Sequence, residues 1–300
     1  MWFKNLLVYR LTPDTRLKAD AVEEKLKENA LQPCGSFEME SRGWVTPRSE
    51  ERFLHSLERQ WLIMFGVNQK LLPGSVITQT AKERAAKLAQ KQEHPVGRKQ
   101  MREIRERVIE ELMPKALSRR RTLATWIDPV NGWLVVDTAA DKKADELLES
   151  LIGADIDIEV KRLECQQSPS AQMTLWLSSG KIPAPFTIDQ DLELKASGES
   201  RATVRYVNHP LEGKEIRDHI AGGKTATRLG MTWKNRISFV LTDQLQIKRV
   251  AFLDILKGET ESQAEDAEEQ FDIDFALMTG ELSAMLADLT KVLGGEKKSS

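Results

Sequence analysis

Residues 75–113 read SVITQTAKERAAKLAQKQEHPVGRKQMREIRERVIEELM, with apolar positions recurring every three or four residues and stopping only at Glu93-His94-Pro95-Val96-Gly97. Ile77, Ala81, Ala85 and Leu88 line one side of the first half; Met101, Ile104, Val108 and Leu112 line one side of the second. That is the spacing of an amphipathic helix. Pro95 lacks a backbone donor and Gly97 eases a turn. The stretch therefore predicts two antiparallel helices of about 17 residues, each roughly 25 Å long at 1.5 Å per residue. Each apolar stripe is narrow, enough to hold a partner helix and too little to be buried all round. The pair is expected to project into solvent as a helical-hairpin arm.

On both sides of this stretch the pattern turns to β. Before it, residues 2–11 alternate, and Pro13 with Asp14 is expected to turn the chain into a helix of about 14 residues with Leu17, Ala21, Leu26 and Ala30 buried. Short strands follow around Phe37–Val45 and Trp61–Leu71. After it, Leu123–Ile127 and Trp133–Asp137 flank Asp128-Pro129-Val130-Asn131-Gly132, a strong hairpin signal. A helix over Lys142–Leu151, a strand over Ile156–Leu163 and a helix over 170–180 come next. Strands at Phe186–Leu194 and Thr203–Val207, a helix at Lys214–Ile220, and a meander of Thr225–Trp233, Ile237–Leu241 and Ile247–Phe252 complete the pattern. In the last helix Phe271, Phe275, Met278, Leu282, Met285, Leu289 and Val292 recur at spacings of 4 and 3. Such a stripe serves a coiled-coil seam, but beside so many strands it reads as a helix laid over a sheet. Strands and helices without βαβ regularity give an α+β fold with mixed or antiparallel sheets.

The bulk numbers exclude several classes. The chain has 300 residues, 40% hydrophobic and 30% charged, which is the make-up of a globular protein with a sizeable core. Its longest apolar runs, such as Trp61–Val67, fall far short of the roughly 20 residues a membrane helix needs. The N-terminus has a charge inside its apolar run and reads as a strand, not a signal peptide. Cys34 and Cys165 have neither C-x-x-C nor paired His, so they are expected to be reduced thiols in a cytoplasmic protein.

Net charge is −2, from 44 Lys and Arg against 46 Asp and Glu, which by itself speaks against a nucleic-acid binder. The distribution reverses that inference. Residues 74–121 hold 13 basic and six acidic residues, a balance of +7 that leaves −9 for the rest of the chain. Residues 259–274 alone carry eight acidic residues and no basic one. Arg84, Lys87 and Lys91 fall on one face of the first helix, and Arg98, Arg102 and Arg105 repeat the spacing on the second. Arg119-Arg120-Arg121 sits at the root. Two short cation rows suit a line of phosphates, although pairs such as Glu83–Lys87 and Arg102–Glu106 also fit an ordinary solvated helix face. No Phe, Tyr or Trp occurs between Phe65 and Trp126. Single-strand binders use rings as stacking platforms. A ring-free basic arm suits the backbone of a duplex, held without reading its sequence.

Other motifs carry less. Gly222-Gly223-Lys224-Thr225 looks like the end of a phosphate-binding loop, but Asp218 stands where that motif needs its first Gly, so a simple turn is expected. Asp137 followed by Glu159-Val160-Lys161 resembles the Asp…Glu-x-Lys core of Mg²⁺-dependent nucleases, in which carboxylates converge on the metal beside a lysine. His55, His94, His209 and His219 have no metal-ligand spacing, and no serine has a nucleophile context. The residues therefore point away from an enzyme, a catalytic site or a cofactor. An interaction module whose arm docks on an acidic partner is a third reading.

Further stretches carry a resemblance. Trp2-Phe3-Lys4-Asn5-Leu6, Val8-Tyr9-Arg10-Leu11, Pro33-Cys34-Gly35-Ser36, Gly43-Trp44-Val45, Leu72-Pro73 and Val76-Ile77 run through the first third. Trp126-Ile127-Asp128 with Asn131-Gly132, and Phe275 with Leu277-Met278-Thr279-Gly280-Glu281-Leu282, follow at compatible spacing. Over its full length the chain resembles the recombination-associated RdgC proteins of bacteria. The resemblance implies a ring-shaped homodimer that encircles double-stranded DNA, binds it without sequence preference, and limits access of the RecA recombinase. It implies a cytoplasmic, nucleoid-associated protein with no membrane partner. On this reading residues 1–73, 117–160 and 225–300 form a base, 74–116 the arm, and 161–224 a smaller tip subdomain. Lys115 and Lys224 match basic positions expected to face DNA. Leu117 matches a site where the family can carry Phe, and the resemblance implies that this site closes one side of the ring. Arg120 stands where a relative can have an apolar residue.

Overall fold

The structure is a computed structural model describing the whole chain except residues 13, 14, 16, 49–51, 198–201, 254–265 and 298–300. The turn expected at Pro13 and Asp14, and the first part of the acidic stretch, lie outside the described residues. The chain is α+β. One twelve-stranded sheet is built from β1 (Leu6–Leu11), β2 (Glu40–Val45), β3 (Leu54–Leu57), β4 (Gln60–Lys70), β5 (Ser118–Asp128), β6 (Trp133–Asp137), β7 (Val160–Arg162), β8 (Phe186–Ala196), β9 (Thr203–Tyr206), β10 (Lys224–Trp233), β11 (Ile237–Thr242) and β12 (Ile247–Phe252). Its order is β2-β4-β5-β6-β1-β12-β11-β10-β8-β9, with β3 beside β4 and β7 beside β1, and every ladder is antiparallel.

Period-two alternation sends the side chains of the central strands to two cores. Leu6 and Val8 enter one core with Trp126, Val135 and Met231; Leu7 and Tyr9 enter the other with Ile127, Leu134 and Val136. Helices α1 (Ala19–Glu28) and α4 (Asp141–Gly153) cover the second core through Val22, Leu26, Ala144, Leu147 and Leu151. Helices α5 (Pro169–Ser179), α6 (Lys214–Ala221) and α7 (Ala267–Val292) cover the first. The first of the chain's helices is shorter than expected: Leu17 precedes it, Ala30 follows it, Ala21 is exposed, and Val22 takes the buried place instead.

α7 buries Phe275, Met278, Leu282, Met285 and Leu289 against the sheet, the helix-over-sheet reading of its stripe. It starts at Asp266, whose carboxylate accepts the N–H groups of Glu268 and Glu269, both at 2.8 Å. Trp233 Nε1 donates to Asp288 at 2.9 Å and Arg48 reaches Asp272 at 2.8 Å, which ties the helix down at both ends. The hairpin between β5 and β6 is held by Asp128, which accepts from the N–H of Val130 and Asn131, with Gly132 at φ +73.

Between β4 and β5 lie α2 (Gly74–Gln92) and α3 (Arg98–Leu112), followed by a single 3-10 turn at Met113–Lys115. α2 stops at Glu93, in the left-handed region at φ +61; α3 starts at Gly97, whose N–H is taken by Gln100 Oε1 at 3.1 Å. Buried Ile77, Ala81 and Val108 form a third, small apolar cluster separate from the two large ones.

Candidate nucleic-acid interface

α2 and α3 pack antiparallel. Arg84 Nη2 meets Glu111 Oε2 at 2.7 Å near the root, and Gln100 donates to Gln92 at 3.2 Å near the turn. The hydrogen bond and charge of Arg84 hold the Glu111 carboxyl below its ordinary range. Lys87, Lys91, Arg98, Arg102 and Arg105 are exposed, whereas Arg84 is half-buried and turned across the pair. Arg102 also meets Glu106 at 3.1 Å, one turn on in its own helix, yet stays 82% exposed. Lys82, Lys99 and Arg107 are exposed on the same two helices and belong to neither of the rows read from sequence.

At the root, Lys115 ends the 3-10 turn and is exposed. Arg119, Arg120 and Arg121 are part of β5, opposite Gln69, Asn68 and Val67 of β4. A strand splits such a run between two faces. Arg120 donates to Asn68 Oδ1 at 3.1 Å on one face; Arg121, on the other, lies 3.7 Å from Glu40 and 3.6 Å from Glu146 of α4. Leu117 is 78% exposed, and its carbonyl accepts the N–H of Leu71 at 2.7 Å. Leu71 is also exposed, as is Met39, whose carbonyl accepts the N–H of Lys70 at 2.8 Å, so Leu117, Leu71 and Met39 form an exposed apolar edge of which the sequence reading names only Leu117.

Lys224 opens β10, whose place in the sheet is five strand steps from β5, roughly 24 Å at about 4.8 Å per strand. Its ammonium donates to Nδ1 of His219 at 3.2 Å. The N–H groups of Gly222 and Gly223 close the end of α6 on the carbonyls of Asp218 and Ile220, so this is a helix-to-strand turn and not a phosphate cradle.

The three residues of the nuclease pattern, the alternative the sequence offered, do not converge. Asp137 sits opposite Leu6, at the start of β1, and its Oδ1 accepts the N–H groups of Lys4 and Asn5, both at 2.9 Å. Burial raises its carboxyl above the ordinary value, only partly offset by those bonds and by Lys4. Glu159 is exposed and accepts from Thr12 at the other end of β1, while Lys161 pairs with Arg10. Asp137 holds the chain start in place; Glu159 and Lys161 are a strand's length away.

A family model described as "Putative exonuclease, RdgC" matches residues 1–296. The chain is 49% identical over 299 residues to the recombination-associated protein RdgC of Cupriavidus pinatubonensis (strain JMP 134 / LMG 1197), covering 100% of both chains. It is 50% identical over 296 residues to the protein of the same name from Janthinobacterium sp. (strain Marseille), covering 99% of each. A third relative of that name, from Dechloromonas aromatica (strain RCB), is 50% identical over 299 residues, covering 99% of this chain and 98% of its own.

Proposed function

This chain belongs to the RdgC family, and on that premise we propose that it acts in recombination as a non-enzymatic protein that holds duplex DNA without reading its sequence. Two copies close into a ring around the duplex, the helix pair 74–112 projects as an arm, and the bound protein limits access of RecA. The protein works in the cytoplasm, on the nucleoid. The observation that carries the DNA reading is the pair of exposed cation rows, Lys87 and Lys91 with Arg98, Arg102 and Arg105, on helices without one Phe, Tyr or Trp. Phosphate contacts from such residues fix position on the duplex and carry no base information. The exposed apolar edge of Leu117, Leu71 and Met39 supports self-association, since burying exposed apolar area favours it. Among the described residues no helix is long and apolar enough to cross a membrane.

The ring is tested on closed circular plasmid. Complexes formed at low salt and then challenged with high salt are expected to persist on the closed circle and to be released once the plasmid is cut. Equal release from circle and linear duplex overturns encirclement. Cleavage of the circle in Mg²⁺ overturns the non-enzymatic reading.

A further inference from the structure

The end of the sheet formed by β10, β8 and β9 carries a row of charges that lies outside the helix pair. Glu193 of β8 stands directly opposite Arg205 of β9 on one side and Arg228 of β10 on the other. Lys195, two residues along β8, shares its face. The Glu193 carboxylate is buried, at 3% exposure, and all three cations reach it: Arg205 Nε at 2.6 Å, Lys195 Nζ at 3.6 Å and Arg228 Nε at 3.9 Å. Thr227 Oγ1 donates to it at 2.8 Å. Burial alone would raise the Glu193 carboxyl. The hydrogen bonds of Thr227 and Arg205 and the charges of both arginines outweigh that and hold it below its ordinary value.

The cations themselves stay accessible, with side chains 51%, 64% and 49% exposed for Lys195, Arg205 and Arg228. Arg205 and Arg228 each turn Nε toward the carboxylate, and a guanidinium has five N–H donors in a fixed fork, so the other donors remain for a ligand. One buried anion thus orients three half-exposed cations, and the row keeps a balance of +2. Preorganised cations of this kind suit a phosphodiester, whose oxygens accept from two or more donors at once.

We propose that Lys195, Arg205 and Arg228, oriented by Glu193, form a second backbone-phosphate site for DNA, with Glu193 as a positioning residue. The inference rests on the duplex-binding reading and adds a site to it. Its distinctive consequence is one of sign. Glu193→Gln makes the row one unit more positive, so simple electrostatics gives tighter binding, whereas loss of the orienting carboxylate gives weaker binding.

The test is the affinity of the full-length protein for a fluorescein-labelled duplex as salt is varied. The triple variant Lys195→Ala, Arg205→Ala, Arg228→Ala, altered only at half-exposed side chains, is expected to reduce the slope of log affinity on log salt by about 0.9 for each phosphate it leaves without a cation. Glu193→Gln, checked for native circular dichroism, is expected to bind more weakly than the parent. Should it fail to fold, Arg205→Lys takes its place: it keeps the charge, loses the fork, and is expected to weaken binding. An unchanged slope in the triple variant, or parental or tighter binding by Glu193→Gln or Arg205→Lys, overturns the proposal. A Lys87→Ala, Arg98→Ala control separates the two claims: a reduced slope there leaves the duplex reading standing, and an unchanged slope there as well removes both.

Discussion

The sheet and the helix pair between β4 and β5 treat burial in opposite ways. The sheet hides Trp44, Trp126, Trp233, Phe3, Phe65 and Phe275 between its faces and the helices over them, and its ladders span the sequence. The pair buries Ile77, Ala81, Ala85 and Val108, with no aromatic ring, and its contacts are local. A large apolar core fixes the sheet and leaves little of it free. A small one leaves most of the pair's surface for charge and gives it low local stability. In this chain the cations collect where the core is thinnest.

Substitutions that remove the same kind of interaction from each region sharpen that contrast. Trp126→Ala deletes a side chain that is 0% exposed and bonded to Gln60 at 2.7 Å. It is expected to cost about 3–5 kcal/mol of global stability in chemical denaturation. Asp137→Ala strands the N–H groups of Lys4 and Asn5 and is expected to cost about 1–3 kcal/mol. Asp137→Asn keeps an acceptor for both. Because the folded carboxyl is raised, the native state holds its proton more tightly than the unfolded chain, so stability falls as pH rises through that window. The asparagine variant avoids that loss, and its neutral-pH melting temperature is expected to equal or exceed the parent's.

In the helix pair, Val108→Ala removes two buried methylene equivalents, about 1.5 kcal/mol. It is expected to speed amide hydrogen exchange across α2 and α3 while leaving the global melting transition in place. A global shift as large as that of Trp126→Ala would erase the distinction between the two regions. The smallest effect belongs to Arg84 and Glu111. Since Arg84 holds the Glu111 carboxyl below its ordinary value, the pair's contribution is complete above the unfolded value and disappears as pH falls through the folded one. Glu111→Gln is expected to abolish the acid-induced rise in exchange near the root and to leave the rest of the protein unchanged.

The elements most legible in the sequence are those with local signals. The helix pair shows itself by period and by Pro95 and Gly97, the β5–β6 hairpin by Asp128 to Gly132, and α7 by its stripe. β5 is harder, because Ser118 to Arg121 hide the alternation that Leu123 restores, so three arginines of a strand look like a basic tail. β3 is four residues long and has no period to read. The cation rows on α2 and α3 are visible because their residues are neighbours in sequence. The row around Glu193 is not, because Arg205 and Arg228 come from other strands and only the pairing register brings them together.

The claim that cations of the helix pair hold duplex backbone is tested most directly by duplex affinity against salt on two unrelated sequences. The expected result is a linear fall of log affinity with log salt, about 0.9 units of slope for each phosphate neutralised, equal for both sequences and shallower in Lys87→Ala, Arg98→Ala. A slope near zero, or one that depends on the sequence, contradicts it.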